Sequence, residues 1–313
     1  MIRLGIARRG IAQWLRALGR AASNGAAPPA PAPEPLKIGL ALGGGFARGI
    51  AHVGVLRVLE RHGIALDAIT GVSAGAIVAA AYASGASVEE IGRVGRSMRF
   101  TDVARWSVCR MGLMVSERMN RFLTRLLRCY RFEEMQIPLG VIATDLAAGS
   151  PVRFHGSGDV ILPIRASCSY PGLFAPVPYE GRLLVDGAMS MGVPAALARS
   201  LGATRIISVH IPTRGSCGAP RNAFQVVNRC FQILQSRTEE SWRNSSDVVI
   251  EPEVSGMDWD CFGSAAELIQ AGEKAAMAAL PQIQAWRETA RASGQPSLAA
   301  GSVRLITPDS KPA

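Results

Sequence analysis

The chain has 313 residues, 48% of them apolar and 19% charged, and arginine carries almost all of its net charge of +10. This length and apolar content exclude a disordered or fibrous chain and suffice for one large core with terminal appendages. Six cysteines without a C-x-x-C pair and four dispersed histidines point away from a disulfide framework and from a metal site, so reduced thiols in a cytoplasmic protein are expected.

Residues 1–20 set Leu4, Ile11, Trp14, Leu15 and Leu18 opposite Arg9, Arg16 and Arg20, a basic amphipathic segment suited to an anionic bilayer. An inert tail is its plain alternative. The Ala/Pro stretch 21–35 reads as a linker. A buried strand is expected at Lys37–Leu42, a helix at Gly49–His62, a strand at Ala68–Val72 and a helix at Ala74–Ser84, the order of a parallel sheet covered by helices on both faces. Ala68–Val88 holds no charge and is long enough to cross a membrane, but its Ala, Gly and Ser content and the turn inside it favour burial in a core. Residues 86–135 read as amphipathic helices. Strands follow at Ile137–Asp145, Pro151–His155, Arg182–Asp186, Arg205–His210 and Asp247–Ile250. Helices are expected at Asp159–Ser167, Val193–Leu201, Phe224–Trp242 and Ser264–Ala292, and a loose tail at 293–313. The reading divides the chain into a core at 36–203 and a C-terminal part of the same fold at 204–292.

Three motifs carry chemistry. Gly71-Val72-Ser73-Ala74-Gly75 falls between a strand and a helix, where a serine on a tight turn stands clear of the backbone. The run Gly43 to Gly49 (GGGFARG) links the first strand to the first helix, and successive N–H groups there cradle an anion. The glycine spacing does not fit the dinucleotide fingerprint, and no acidic residue ends the second strand. Asp186-Gly187 ends a strand, where active sites of parallel sheets gather.

These motifs, with the stretches LALGGGFARGIAHVGVLRVLE, ITGVSAGAIVAAAYASG, IRASCSYPGLFAPV and GRLLVDGAM, resemble the patatin-like phospholipase family from about Leu36 to Ala203. The resemblance implies a single patatin-like α/β domain and a serine acyl hydrolase of lipid esters. In it Ser73 is the nucleophile and Asp186 its only partner. Gly44, Gly45, Phe46 and Arg48 lie in the oxyanion loop, Gly71, Gly75 and Gly187 complete the motifs, and no cofactor is implied. The family's glycine run usually reaches the position of Phe46, whose side chain would narrow the acyl cleft. Its frequent Asn-Asn before the proline is Met191-Gly192 here.

A serine hydroxyl needs a base, and desolvation lifts a carboxylate toward the useful range. Three other readings stay open: a Ser73-Asp186-His210 triad, a non-catalytic membrane-binding regulator on the same fold, and a nucleotide-binding module. His52 reads as a packed core residue, and Arg165 and Ser169 either shape the cleft or form a helix-end hydrogen-bond network. The expected partners are a lipid ester and, peripherally, a membrane surface. The arginine excess suits phosphate, but no zinc-finger spacing or basic–aromatic run points to nucleic acid.

Overall fold

The computed structural model describes residues 35–292 except 110, 213–218, 220–222 and 259. The amphipathic segment at 1–20, the linker up to residue 34 and the tail from 293 lie outside the described residues. The strands are β1 (Ile38–Leu42), β2 (Ala68–Gly71), β3 (Arg105–Cys109), β4 (Gly112–Val115), β5 (Leu139–Asp145), β6 (Pro151–His155), β7 (Val177–Tyr179), β8 (Arg182–Asp186), β9 (Arg205–Val209) and β10 (Val248–Ile250). The helices are α1 (Ala51–Arg61), α2 (Ala74–Ala83), α3 (Val88–Ser97), α4 (Phe100–Val103), α5 (Glu117–Leu126), α6 (Ile161–Ser167), α7 (Ala195–Ser200), α8 (Ala223–Arg243) and α9 (Ala265–Ala292).

Strands β10, β9, β1, β2 and β5 pair side by side in parallel. Their sequences are apolar runs because both faces are covered. Along β1, Ile38, Leu40 and Leu42 pack into the cluster with α1, α2 and α9, while Ala41 packs with Ala195, Ala198 and Trp242 on the opposite face. The period-two alternation of a strand thus serves two helical layers. The uncharged run from Ala68 to Val88 supplies β2, the following turn and α2, with most of its residues buried. Among the described residues, no helix is long and apolar enough to cross a membrane.

The remaining strands depart from a parallel sheet. β6 pairs antiparallel with β5 from Gly140 to Thr144. β8 also pairs antiparallel with β5, Asp186 opposite Ala143 and Leu184 opposite Asp145. β2 meets β5 only at Leu139–Val141. Because β6 overlaps both stretches, it must occupy one edge of β5, and β2 and β8 share the other. They run toward each other along that edge, and their C-terminal ends meet across Ile142. Gly187 is the residue at this junction: a Cβ there would lie 2.2 Å from the Ile142 carbonyl oxygen and 2.5 Å from Val72 Cγ2.

Two stretches differ from the sequence reading. Residues 86–135 are not helical throughout: β3 and β4 form an antiparallel hairpin between α4 and α5. Aromatic and β-branched residues there, interrupted by Gly112, favour strands over a helix. β4 is also tied to the loop after α6, Met114 N–H donating to Leu173 O and Ala175 N–H to Met114 O, both at 3.0 Å. The short β7 was not expected. It pairs with β8 through Glu180-Gly181, both at positive φ (45° and 75°), as a tight hairpin turn requires.

Replacing Gly187 by Ala forces the two strand ends apart. We expect a loss of roughly 2–3 kcal/mol, the upper range of overpacking costs. Denaturant melts of wild type and variant check it, and equal midpoints would show that the junction tolerates a methyl group.

Candidate active site

Ser73 follows β2 and precedes α2 with φ 53° and ψ −126°, a left-handed conformation uncommon for a residue with a side chain. The turn closes because Gly71 and Gly75 have no Cβ. One on Gly71 would lie 2.4 Å from Gly75 O, and one on Gly75 would lie 2.4 Å from Leu42 O. Ser73 N–H donates to Ser167 Oγ at 2.8 Å, which fixes the turn to α6.

The meeting of β2 and β8 brings Asp186 to the serine, and Ser73 Oγ donates to Asp186 Oδ2 at 2.8 Å. Asp186 Oδ1 accepts from Ala188 N–H at 2.9 Å, and Asp186 N–H donates to Ser169 O at 2.9 Å. The carboxyl is 1% exposed. Burial pushes it up to about 7, against a smaller opposite effect of its bonds from Ala188 and Ser73. Cys168, also buried beside this carboxyl, is held well above the usual thiol range by desolvation and remains a neutral thiol.

The glycine loop lies alongside. A Cβ on Gly44 would be 3.4 Å from Ser73 Cβ, so the backbone at Gly44 borders the serine directly. The loop is pinned at Gly43, whose N–H donates to Val209 O at 2.9 Å and whose carbonyl accepts from His52 Nε2 at 2.9 Å. His52 is fully buried, and desolvation lowers it to about 4, so it is neutral with its proton on Nε2. Phe46 adopts φ 51°, which explains why glycine suits this position. Its ring meets Tyr170 edge to face at 4.9 Å, and Tyr170 meets Phe231 of α8 at 5.5 Å.

Two clefts share Ser73 and Phe46 in their walls. One is lined almost entirely by apolar groups including Val53, Ile77, Val94, Phe122 and Phe174. The other, the polar cleft, adds polar groups to its lining: Arg48, Asp186, Asn228, Gln232 and Glu239. Arg48 is 7% exposed, with Nη1 donating to Pro212 O at 3.5 Å and Nε without a protein partner. Desolvation lowers its pKa, offset in part by Cys261 and Asp258.

All the residues singled out in the sequence motifs therefore gather at one place. His210 lines the polar cleft, but its Nδ1 pairs with Glu251 Oε1 at 2.9 Å and its ring packs on Trp242. Nothing intervenes between Asp186 and Ser73, so the geometry leaves no place for a bridging imidazole. Arg165 and Ser169 form the helix-end network, Ser169 Oγ donating to Arg165 O at 2.9 Å and Arg165 Nη1 to Asn120 Oδ1 at 3.4 Å. The bond from Ser73 to Ser167, the anchoring of Gly43 by His52 and the wall contributed by α8 escaped the sequence reading. The first and third depend on contacts distant in the chain, and the second, between residues 9 apart, has no spacing signature. Among the described residues, no group of three or more His, Cys, Asp and Glu is placed to hold a metal ion.

Residues 40–199 match the patatin-like phospholipase family. A putative patatin-like phospholipase domain-containing protein of Caenorhabditis elegans is 34% identical over 185 residues, covering 56% of this chain and 17% of that protein. An uncharacterized NTE family protein of Mycobacterium tuberculosis is 33% identical over 178 residues, 56% of this chain and 49% of that one. A lysophospholipase of Mycosarcoma maydis is 30% identical over 229 residues, 71% of this chain and 12% of that one. The matched region is thus under half of each relative's length. VipD from Legionella pneumophila shares the fold, with a TM-score of 0.54 at 15% identity over 80% of this chain and 67% of that one.

The buried carboxyl sets a pH dependence of stability. Its native pKa of about 7 lies above the unfolded value of about 3.9, so the folded state binds the proton more tightly. Its contribution to stability falls as pH rises from about 4 to about 7, and is constant above. Asp186→Asn removes this loss. The stability gain of the variant over wild type should be roughly 2–3 kcal/mol larger at pH 8 than at pH 5. Chemical melts at both pH values measure it, and a gain independent of pH would refute the raised value.

Proposed function

The chain belongs to the patatin-like phospholipase family, and from that membership we propose that it hydrolyses lipid esters with Ser73 as nucleophile and Asp186 as base. The observation that carries this reading is the 2.8 Å bond from Ser73 Oγ to a buried carboxyl at the junction of an apolar and a polar cleft. The lysophospholipase relative supports a lipid ester as substrate.

In this reading the acyl chain occupies the apolar cleft and the polar part of the lipid lies toward Arg48, whose guanidinium suits a phosphate. Asp186, once ionised, takes the proton from Ser73 Oγ as the oxygen attacks the ester carbonyl. The loop N–H groups of Gly44, Gly45 and Phe46 face the developing oxyanion. The C–O bond to the leaving alcohol breaks and the alcohol takes the proton from Asp186. Water then cleaves the acyl-enzyme with Asp186 again as base. His52 acts only by holding Gly43.

Phe46 lies where the two clefts meet, so its ring limits the width of the acyl entrance. Phe46→Gly should raise kcat/KM for bulky or branched acyl esters several-fold relative to short linear ones. An unchanged acyl profile would remove Phe46 from the specificity wall.

Ser73→Ala and Asp186→Asn should each lower ester hydrolysis by at least about three decades without unfolding the chain, the scale set by loss of an activated nucleophile. His210→Ala should retain activity within about tenfold. The kcat/KM profile should rise with pH through a midpoint near 7, because the carboxyl must lose its proton to serve as base. A His210→Ala loss matching that of Ser73→Ala, in a folded variant, would establish the triad instead.

A further inference from the structure

Helix α8 is amphipathic in the inverted sense. Its inward face carries Asn228, Gln232, Gln235 and Glu239, which line the polar cleft together with Trp242. Two bonds fasten this face to the site: Tyr170 Oη donates to Asn228 Oδ1 at 2.8 Å, and Gln235 Nε2 to Ala188 O at 3.3 Å. The outward face carries Val226, Val227, Ile233 and Leu234, each 44–59% exposed, with the exposed Cys230 between them. At 100° per residue these five positions fall within about 120° of the circumference. A contiguous apolar stripe of this kind is what a folded chain normally buries, and it marks an interaction surface.

We infer that this stripe of α8 docks on an anionic lipid bilayer. Charge decides the occupant. Arg237 falls within the stripe, one turn beyond Ile233, and Arg229 lies at its border. The segment from Ala223 to Thr238 contains no acidic residue, and the chain as a whole carries +10. The exposed Glu240 also borders the stripe, but Arg237 within it and Arg229 at its border leave it net positive, and on a chain of +10 it complements a negative surface, whose attraction for each cation is felt within a Debye length. The arrangement also gives the helix one task per face. The outer face enters the bilayer boundary while the inner face borders the cleft beside Asp186 and Ala188, so docking sets the polar cleft at the membrane surface. This last step rests on the lipid-ester reading above, but the docking itself does not.

The test is sedimentation of the full chain with vesicles of phosphatidylcholine containing anionic phosphatidylglycerol, at low and high salt. Ile233→Glu/Leu234→Glu alters two outward positions that contribute nothing to the cleft wall. This variant should bind vesicles at least about tenfold more weakly, since it removes two large apolar groups and adds two negative charges. Its turnover of a soluble short-chain ester should stay within twofold of wild type. Arg237→Gln should weaken binding at low salt and have no effect at high salt. Vesicle binding equal to wild type in the double variant would overturn the inference. So would a wild-type dimer in light scattering that the double variant reduces to a monomer, because the stripe would then be an interface between copies. Loss of ester turnover in Ser73→Ala with unchanged vesicle binding separates the two readings: binding tests the surface and turnover tests the site.

Discussion

One edge of β5 serves two strands that approach it from opposite directions. β2 runs with β5 and stops at Gly71, opposite Val141, while β8 runs against it and stops at Asp186, opposite Ala143. Only one residue of β5, Ile142, separates the two ends, so whatever follows β2 must face whatever ends β8. Residues 113 apart in sequence are brought to 2.8 Å where the two strand ends meet. The small residues around them follow from that crowding, as the absence of any room for a Cβ at Gly187 shows. The same junction is sealed from water by helices on both faces. That sealing raises the affinity of Asp186 for its proton and places its ionisation near neutrality.

The two clefts extend this constraint outward. A sheet whose parallel strands end together leaves a crevice at their carboxyl ends, and here the crevice is divided by the glycine loop and Phe46. On one side the walls come from α1, α2, α3 and α5, whose apolar faces continue the core. On the other side they come from α8 and the segment after β9, and the groups change to amides, carboxylates and a guanidinium. The proposed substrate, with a long apolar part and a polar part joined at an ester, would match this division at the position of Ser73. The division also accounts for the sequence of α8, whose polar residues are directed inward because the cleft, and not the core, lies beneath them.

The parts legible in the sequence were those with local signatures. Apolar runs ending in glycine marked β1 and β2, and a serine between two spaced glycines marked the turn after β2. Asp-Gly after an apolar run marked the end of β8. The orientation of β8 had no such mark, because Arg-Leu-Leu-Val-Asp reads the same whether its partner runs with it or against it. The hairpin of β3 and β4 was hidden for a related reason. Its neighbours α3 and α5 are strongly amphipathic, their helical periodicity runs into the intervening residues, and only the pairing of Met114 with Leu173 and Ala175 marks those residues as strand. Helix α8 was expected as a helix, but its inversion follows only from knowing what lies beneath it.

The site also concentrates conformational and electrostatic cost. Ser73 and Phe46 both hold positive φ, at 53° and 51°, and each such conformation costs about 1–3 kcal/mol. Ionising Asp186 above neutrality adds roughly 4 kcal/mol relative to the unfolded chain. These costs are tolerable because the strands and helices that impose them are buried throughout, with Leu42, Ile69, Val72 and Ile142 at 0% exposure around the junction. A looser frame would relax the serine to an ordinary strand conformation and admit water to the carboxyl, lowering its pKa and weakening it as a base. In the proposed reading, the dense packing of the β2–β5–β8 junction is therefore the condition under which a carboxylate alone, with no imidazole between, would act on a serine near neutral pH.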